Sequence, residues 1–179
     1  MSSLHCAARV HLARHGEATY ETGPVSDGDG QLTAAGRAQA RQLAETLRGE
    51  RIARVWTSPL ARAVQTAEIV AGLLGVDVMV RQALREYGAG AHVGGEPEGS
   101  EDVEARMRAV LQEAADEHRG EAVLVVSHAG AILAGVPPLV GLPPAWAPGI
   151  MLGSCGVVEL EADGEAWQLI RWDAGTYGG

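Results

Sequence analysis

Short apolar runs alternate with longer segments of helical periodicity along the chain. Four of these runs have the length and composition of buried strands, and each ends where polar residues begin. They cover 8–13, 51–57, 76–80 and 121–128. The predicted helices cover 33–49, 58–75, 100–118 and 129–136. Two further strands are predicted on either side of Asp163 and Gly164. This order predicts an α/β fold, a three-layer α/β/α sandwich whose mostly parallel central sheet has helices on both faces.

The spacing of apolar residues indicates the buried side of each helix. The predicted inner faces are Ala40, Leu43, Ala44 and Leu47; Leu60, Val64, Ala67, Ala71 and Leu74; and Val103, Met107, Val110 and Ala114. Thr33 is the predicted N-cap of the first helix. The second helix is predicted to have Ser58 as its N-cap, Pro59 at its first position and Gly75 just past its end.

Length and composition fit one globular domain spanning residues 1–179. Of these residues 46% are hydrophobic, which is enough for one buried core. The formal net charge of −9 disfavours nucleic-acid binding, because phosphate backbones repel an acidic protein. All fourteen basic residues are arginine. Without lysine, the chain cannot be a Schiff-base enzyme, a pyridoxal-phosphate enzyme or a protein with a phosphate-binding loop ending in Gly-Lys.

The cysteines and the N-terminus point to a cytoplasmic protein. Cys6 and Cys155 form no C-x-x-C pair, and we expect two buried thiols in a reducing compartment. The N-terminus lacks a basic-then-apolar signal pattern, and Pro137 and Pro138 interrupt the longest apolar stretch, 129–142. We therefore expect no membrane partner.

Polar residues follow each of the four predicted strands. They are Arg14, His15 and Gly16 after the first, Ser58 and Arg62 after the second, Glu86 after the third, and Ser127 and His128 at the end of the fourth. Ligands of open α/β sheets bind beyond the carboxyl ends of the strands, so these residues are expected to meet at one edge. Two arginines, two histidines, a glutamate and a helix N-terminus predict a phosphate site.

Local spacing predicts how some of these residues reach the site. Arg62 lies two residues beyond Leu60, so we expect it to point away from the buried side of its helix and across the edge toward His15. Gly16 and Gly130 have no Cβ, and we expect both to let the backbone approach a ligand closely.

The residue types predict a phosphomonoester hydrolase. A neutral His15 can attack phosphorus, and the neighbouring guanidiniums are expected to lower its pKa by like-charge repulsion. His128, Arg14 and Arg62 are expected to hold the phosphoryl oxygens. Glu86 is expected to protonate the leaving alkoxide and then to act as base for the water that cleaves the phosphohistidine.

Four motifs, "ARHGEA", "TSPLARAVQTA", "LREYGAGAHVGGEPEGSEDVEARM" and "SHAG", resemble in order and spacing those of the histidine phosphatase superfamily, which includes the cofactor-dependent phosphoglycerate mutases. The resemblance covers about residues 10–130. It implies a phosphorylated nucleophile at His15, a phosphate pocket of Arg14, Arg62 and His128, and a proton donor at Glu86. It implies a small-molecule phosphomonoester substrate, and no metal or organic cofactor.

Three departures from the family pattern bear on function. Many relatives have asparagine six residues after the nucleophile, where this chain has Glu21, so a phosphate-binding role is not carried over to that position. The common "SHGG" is "SHAG" here, with Ala129. The interval between Glu86 and His128 is considerably shorter than in the mutases, which predicts a small lid. Because a mutase must keep water from its phosphoenzyme, a small lid favours hydrolysis over phosphoryl return.

Three alternatives remain beside the phosphatase. The first is a phosphoglycerate mutase, and the second is a phosphate- or phosphoprotein-binding module without turnover, suggested by Glu21. The third is a metal hydrolase, since His11 and His15 have the H-x-x-x-H spacing; however, that spacing builds a metal site in a helix, and this segment is predicted as strand and turn. The other histidines, among them His118, are expected to be surface or packing residues.

The substrate-selecting side of the pocket is expected to come from 18–30, 87–98 and the proline-rich loop 137–149. The apolar character of that loop, which carries Trp146, fits an uncharged leaving group, buried packing or a homodimer contact equally well. The physiological substrate cannot be deduced from these residues.

Overall fold

The computed structural model describes residues 6–22, 30–88, 92–93, 96–143 and 152–175. Its strands are β1 (Ala8–Arg14), β2 (Ile52–Thr57), β3 (Val78–Val80), β4 (His92–Val93), β5 (Glu96–Pro97), β6 (Ala122–Ser127), β7 (Val157–Asp163) and β8 (Ala166–Asp173). Its α-helices are α1 (Thr19–Thr22), α2 (Ala34–Leu47), α3 (Ala61–Leu74), α4 (Ser100–Glu117) and α5 (Ala129–Leu139). A short 3₁₀ turn, Gln82–Leu84, follows β3.

Six of the strands form one sheet in the order β3-β2-β6-β1-β7-β8, and β4 pairs with β5 in a separate small ribbon. β3, β2, β6 and β1 are parallel, whereas β7 runs antiparallel to both β1 and β8. Arg14 is level with Ser127 across the β1–β6 pair. Thr57 is level with Val126 across the β2–β6 pair. The carboxyl ends of the three central strands, β1, β6 and β2, therefore lie side by side, and the residues that follow these strands share one edge of the sheet.

Helices cover both faces of the sheet, as predicted. Alternate residues of β6 belong to two separate cores, because successive side chains of a strand point to opposite faces. Val123 and Val125 pack with α4 and α5. Leu124 and Val126 pack with α2 and α3. All six residues of β6 are buried, as expected for a strand covered on both faces. The predicted three-layer α/β/α architecture is confirmed.

The predicted inner faces of α2 and α4 are confirmed, and so are the predicted start of α2 and end of α3. The Thr33 hydroxyl accepts a hydrogen bond from the N–H of Gly36 and so caps α2. The predicted inner residues of α2 and of α4 are all buried. Gly75 ends α3 at φ 73°, in the left-handed region that favours glycine.

The predicted start and buried face of α3 are partly wrong. The helix begins at Ala61 with Leu60 as its N-cap, and not at Ser58 and Pro59. Leu60, Val64 and Leu74 are half-buried, whereas Arg62 and Thr66 are buried. The helix is rotated relative to its apolar stripe because these two polar side chains bond to residues at the end of β1.

Three smaller expectations also change. The third strand is shorter than 76–80 and begins at Val78. The helix predicted to end at 136 continues through Pro137 and Pro138 to Leu139. Cys6 is exposed and Cys155 half-buried, so the expectation of two buried thiols was wrong; both are free. In the described part of the chain, none of the helices has the length and apolar character needed to cross a membrane.

Candidate active site

His15 lies immediately after β1, fully buried. Its backbone N–H donates to the carbonyl of Ser127, which continues the β1–β6 ladder by one residue. Its Nδ1 lies 2.7 Å from the carbonyl oxygen of Gly16. A carbonyl only accepts, so Nδ1 carries the proton and Nε2 presents a lone pair. His15 therefore has the tautomer required of a nucleophilic imidazole.

Arg62 and Tyr20 surround that lone pair. Nε of Arg62 lies 3.2 Å from Nε2 of His15, and the hydroxyl of Tyr20 lies 3.3 Å from the same atom. The Arg62 guanidinium also lies 5.0 Å from the centre of the Tyr20 ring, a cation–π contact. The expectation that Arg62 reaches His15 is correct. The expectation that it points away from the buried side of α3 is wrong, since its side chain lies between the helix and His15.

His128 is the second buried imidazole of the site. It is the N-cap residue of α5, directly after β6, and its ring centre lies 5.1 Å from that of His15. Its Nε2 lies 2.7 Å from the hydroxyl of Ser58, which follows β2. Its Nδ1 is buried and has no hydrogen-bond partner within the described residues. Residues after three strands thus meet as the sheet topology predicts.

Both imidazoles are held neutral. Burial lowers the pKa of His15 to about 3, and the positive charges of Arg14 and Arg62 contribute in the same direction. Burial also lowers the pKa of His128 to about 2, with smaller contributions from His15 and Arg62. The expected lowering of the His15 pKa by like-charge repulsion is present, but desolvation of the charged form is the larger cause.

Glu86 lies between the third strand and the N-terminus of α5. Its carboxylate accepts hydrogen bonds from the backbone N–H groups of Tyr87 (2.7 Å), Ala131 (2.9 Å) and Gly130 (3.4 Å). A Cβ on Gly130 would lie only 2.7 Å from Oε1 of Glu86. The absence of that Cβ makes room for the Glu86 carboxylate, whereas we had expected room for a ligand.

A buried ion pair braces the segment that carries Glu86. Arg106 of α4 donates to both carboxylate oxygens of Glu98, whose side chain is 1% exposed. Arg106 also donates to the carbonyls of Ala83, Arg85 and Glu86. Its hydrogen bonds hold the pKa of Glu98 below the usual value. The sequence did not reveal this brace, because the glycine-rich rim, residues 88–99, separates Arg106 from the carbonyls that it binds.

Arg14 is paired with Glu21. Nη2 of Arg14 lies 2.7 Å from Oε2 of Glu21, and Nη1 donates to the carbonyl of Leu152 at 3.1 Å. The second carboxylate oxygen of Glu21 accepts the N–H of Ala18. Glu21 is therefore a partner of one of the proposed phosphate-binding arginines and not a distant loop residue.

Gly16 is required for packing between β1 and α2. A Cβ on Gly16 would lie 2.6 Å from the carbonyl oxygen of Gly36. The N–H of Gly16 donates to Thr66, which in turn donates to the Arg62 carbonyl. We expected Gly16 to let the backbone approach a ligand closely. In the structure it lets the backbone approach α2 closely instead. Thr66, which the sequence did not single out, ties α3 to the segment after His15.

His11 does not share a site with His15. It lies within β1, where four residues span roughly 13 Å. Its nearest carboxylate is that of Glu50, 3.8 Å from Nε2. Within the described residues, no group of three or more histidine, cysteine, aspartate and glutamate side chains is arranged to hold a metal ion. Trp146 and the rest of 144–149, the second half of the loop that carries it, lie outside the described residues.

Comparison with known proteins shows the family of the chain. Residues 10–99 and 92–175 match the family model of the histidine phosphatase superfamily (branch 1). The chain belongs to this superfamily. It is 30% identical over 192 aligned residues to the probable phosphoglycerate mutase GpmB of Yersinia enterocolitica, covering 92% of this chain and 89% of that protein. The corresponding Escherichia coli K12 protein is 30% identical over 199 residues, covering 95% of this chain and 92% of the relative.

Solved structures of other proteins have the same fold. The native structure of mycobacterial glucosyl-3-phosphoglycerate phosphatase is 27% identical, with a TM-score of 0.78, and the alignment covers 94% of this chain and 100% of that one. YhfR of Bacillus stearothermophilus, 24% identical, has a TM-score of 0.80 over 95% of this chain and 98% of its own, a likeness of fold alone. The predicted enzyme class, a phosphatase of the histidine phosphatase type, is confirmed by the family match and the phosphatase neighbours.

Proposed function

We propose that the protein hydrolyses small-molecule phosphomonoesters through a phosphohistidine on His15. The observation that carries this proposal is the state of the His15 ring, which is buried, neutral and protonated on Nδ1 by its bond to Gly16. Its unprotonated Nε2 accepts a hydrogen bond from the Arg62 guanidinium. A lone pair facing a cation suits attack on an anionic phosphoryl group, because the cation neutralises the repulsion between nucleophile and phosphate.

In the first step Nε2 of His15 forms a bond to phosphorus as the bond from phosphorus to the ester oxygen breaks. Arg14, Arg62 and His128 hold the equatorial oxygens, and the leaving alkoxide takes a proton from Glu86. In the second step a water oxygen attacks the same phosphorus and gives its proton to the Glu86 carboxylate. The N–P bond breaks, inorganic phosphate leaves and His15 is neutral again.

Hydrolysis is favoured over phosphoryl return by the size of the rim. Only 42 positions of sequence separate Glu86 from His128, and α4 and β6 use most of them. The ribbon of β4 and β5 has two residues in each strand. So short an insertion favours hydrolysis, because a mutase needs an enclosing lid that keeps water from its phosphohistidine. The phosphatase neighbour at 27% identity supports the same choice.

A mutase is the second candidate, because curated relatives at 30% identity are named probable phosphoglycerate mutases. One set of assays separates the candidates: phosphate release from a panel of monoesters, and interconversion of 2- and 3-phosphoglycerate. We expect release without interconversion, unaffected by a chelator, and an acid-labile phosphate on His15 by mass spectrometry. His15→Asn should abolish both release and labelling. Interconversion faster than release would replace the proposal with a mutase, and binding without any release would replace it with a binding module.

A further inference from the structure

Glu21 places a negative charge on one of the two arginines of the proposed phosphate site. Its carboxylate lies 2.7 Å from Nη2 of Arg14, and the Ala18 N–H holds the other oxygen of that carboxylate. The Arg14 and Glu21 side chains are 16% and 22% exposed, so solvent screens their interaction only partly. A phosphate bound at Arg14 is therefore close to a fixed carboxylate.

The fixed cations near that carboxylate are all arginines. All fourteen arginines lie within the described residues, and there is no lysine. Arg62 bonds to His15, Arg14 to Glu21, and Arg106 to the carbonyl of Glu86. Arg85 and Arg106, next to Glu86, are both paired with buried Glu98.

The internal segments outside the described residues add no permanent positive charge. Residues 23–29, 89–91, 94–95 and 144–151 contain no arginine, lysine or histidine. The first of them adds two negative charges, Asp27 and Asp29. His92, on β4, is the one basic residue in the sequence of the rim, 88–99, and histidine is not a permanent cation.

A phosphomonoester dianion matches the net positive charge of these groups. Arg14, Arg62, Arg85 and Arg106 supply four positive charges, Glu21 and Glu98 supply two negative charges, and the dianion supplies the other two. Glu86 adds no charge while it carries the proton for the leaving group. A second anionic group on the substrate would be desolvated without a cationic partner and beside like charges, which is unfavourable.

We propose that Glu21 sets the substrate class: it restricts the enzyme to phosphomonoesters whose alcohol carries no negative charge. This inference rests on the proposed function and adds a residue that selects among its substrates. Esters bearing a carboxylate or a second phosphate are poor substrates. In this the chain differs from relatives named for phosphoglycerate, which carries a carboxylate beside its ester.

The test compares two esters of nearly equal shape. Glycerol 3-phosphate carries a hydroxymethyl group where 3-phosphoglycerate carries a carboxylate. For the wild type we expect kcat/KM for glycerol 3-phosphate to exceed that for 3-phosphoglycerate by at least about tenfold. Glu21→Gln should narrow this ratio by at least about fivefold, mainly by improving 3-phosphoglycerate, and added salt should narrow the wild-type ratio as well.

Glu17→Gln is the matched control. It removes a carboxylate four residues before Glu21, but the Glu17 carboxylate bonds to the Thr33 hydroxyl and an amide oxygen can accept the same bond. We expect it to leave the ratio within about twofold. An equal change in the two variants would overturn the assignment to Glu21. So would a wild type that prefers 3-phosphoglycerate, or a Glu21→Gln variant, folded by circular dichroism, with an unchanged ratio.

Failure of the proposed function has a different signature. It would appear as no phosphate release from any ester, p-nitrophenyl phosphate included. In that case the dissociation constants of the same two esters are measured by calorimetry on the wild type and on Glu21→Gln. The ratio of the two affinities then replaces the ratio of kcat/KM values in the test of Glu21.

Discussion

Nδ1 of His15 and the carbonyl oxygen of Gly16 lie 2.7 Å apart, and this single contact fixes which ring nitrogen is free. The proton must reside on Nδ1 because the carbonyl has none to give. The contact is local, between neighbours in sequence, yet it forms because Gly16 is pinned by Thr66 on one side and packed against Gly36 on the other. The tautomer of His15 is thus set by the packing of α2 and α3 against the end of β1.

The first prediction concerns the protonation of His15 in solution. Because burial lowers its pKa to about 3, the ring should stay neutral with the proton on Nδ1 throughout the range above about pH 4.5. Nitrogen NMR of uniformly labelled protein measures this directly, and His15→Asn assigns the signal. A His15 ring that titrates close to 6.5 would contradict the buried site.

The second prediction is that acid destabilises the protein before its carboxylates titrate. His15 and His128 have pKa values lowered to about 3 and about 2, whereas the unfolded chain has histidines near 6.5. Below pH 6.5 the unfolded state therefore binds more protons than the native state, and the free energy of unfolding falls as pH falls toward 3. Each residue contributes a slope of up to about 1.4 kcal/mol per pH unit within that window.

Urea unfolding at several pH values between 7.5 and 4.5 measures that slope. Stability should be level above pH 6.5 as far as these two residues are concerned. Replacing His15 with Asn should reduce the slope of the unfolding free energy against pH by the contribution of one histidine, provided that the variant unfolds cooperatively. A slope that is identical in the variant would show that His15 is accessible to protons in the native state.

The layered fold could be predicted because its signals are local. β6 is an unbroken apolar run, and α4 has apolar residues at helical spacing, so each is specified by its own segment. α3 is different. Its buried side carries Arg62 and Thr66, whose partners are on another element, and hydrophobic spacing assigns polar residues to the outside. The error in α3 therefore occurs at the residues that form the site.

The same distinction explains which site residues were found. His15 and His128 follow apolar strands, and the sheet rule brings the ends of such strands together. Contacts such as Tyr20 with His15, or Arg106 with the carbonyl of Glu86, join segments through loops whose paths no local pattern encodes. The sequence did flag Glu21 as a departure, but only the fold showed its bond to Arg14.

The third prediction tests the tie between α3 and β1. Thr66→Val keeps the shape of the side chain but removes the hydroxyl that accepts the N–H of Gly16 at 3.0 Å. A buried donor left without a partner costs about 1–3 kcal/mol of unfolding free energy. Activity should fall as well, because Gly16 orients the His15 ring. Denaturant unfolding and kcat with a single ester measure the two effects.

Thr66→Ser is the control for that variant. It retains the hydroxyl and loses one buried methyl group, so its loss of stability should come from packing alone and its kcat should remain near that of the wild type. If Thr66→Ser and Thr66→Val lost activity equally, the hydrogen bond to Gly16 would have no part in placing His15.

The fourth prediction concerns the space that Gly130 leaves for Glu86. In Gly130→Ala the new Cβ would lie 2.7 Å from Oε1 of Glu86, so the carboxylate must move. Oε1 is the end of a flexible side chain, and the cost in stability should be small. The proton transfer to the leaving group should suffer more, since a positioned acid contributes about 10²–10⁴-fold to such a step. Hydrolysis of an alkyl phosphate should therefore slow by roughly tenfold or more.

An activated ester separates this effect from general damage. The p-nitrophenolate leaving group needs little help from an acid, so the Gly130→Ala variant should hydrolyse p-nitrophenyl phosphate within about threefold of the wild-type rate. Gly72→Ala is the control, because a Cβ there meets nothing within 4 Å, and in the last turn of α3 it should raise stability by less than about 1 kcal/mol without altering either rate. Equal losses of Gly130→Ala on the alkyl and aryl esters would mean that the displaced Glu86 is not the acid. The helix terminus that binds its carboxylate would then have a structural role only.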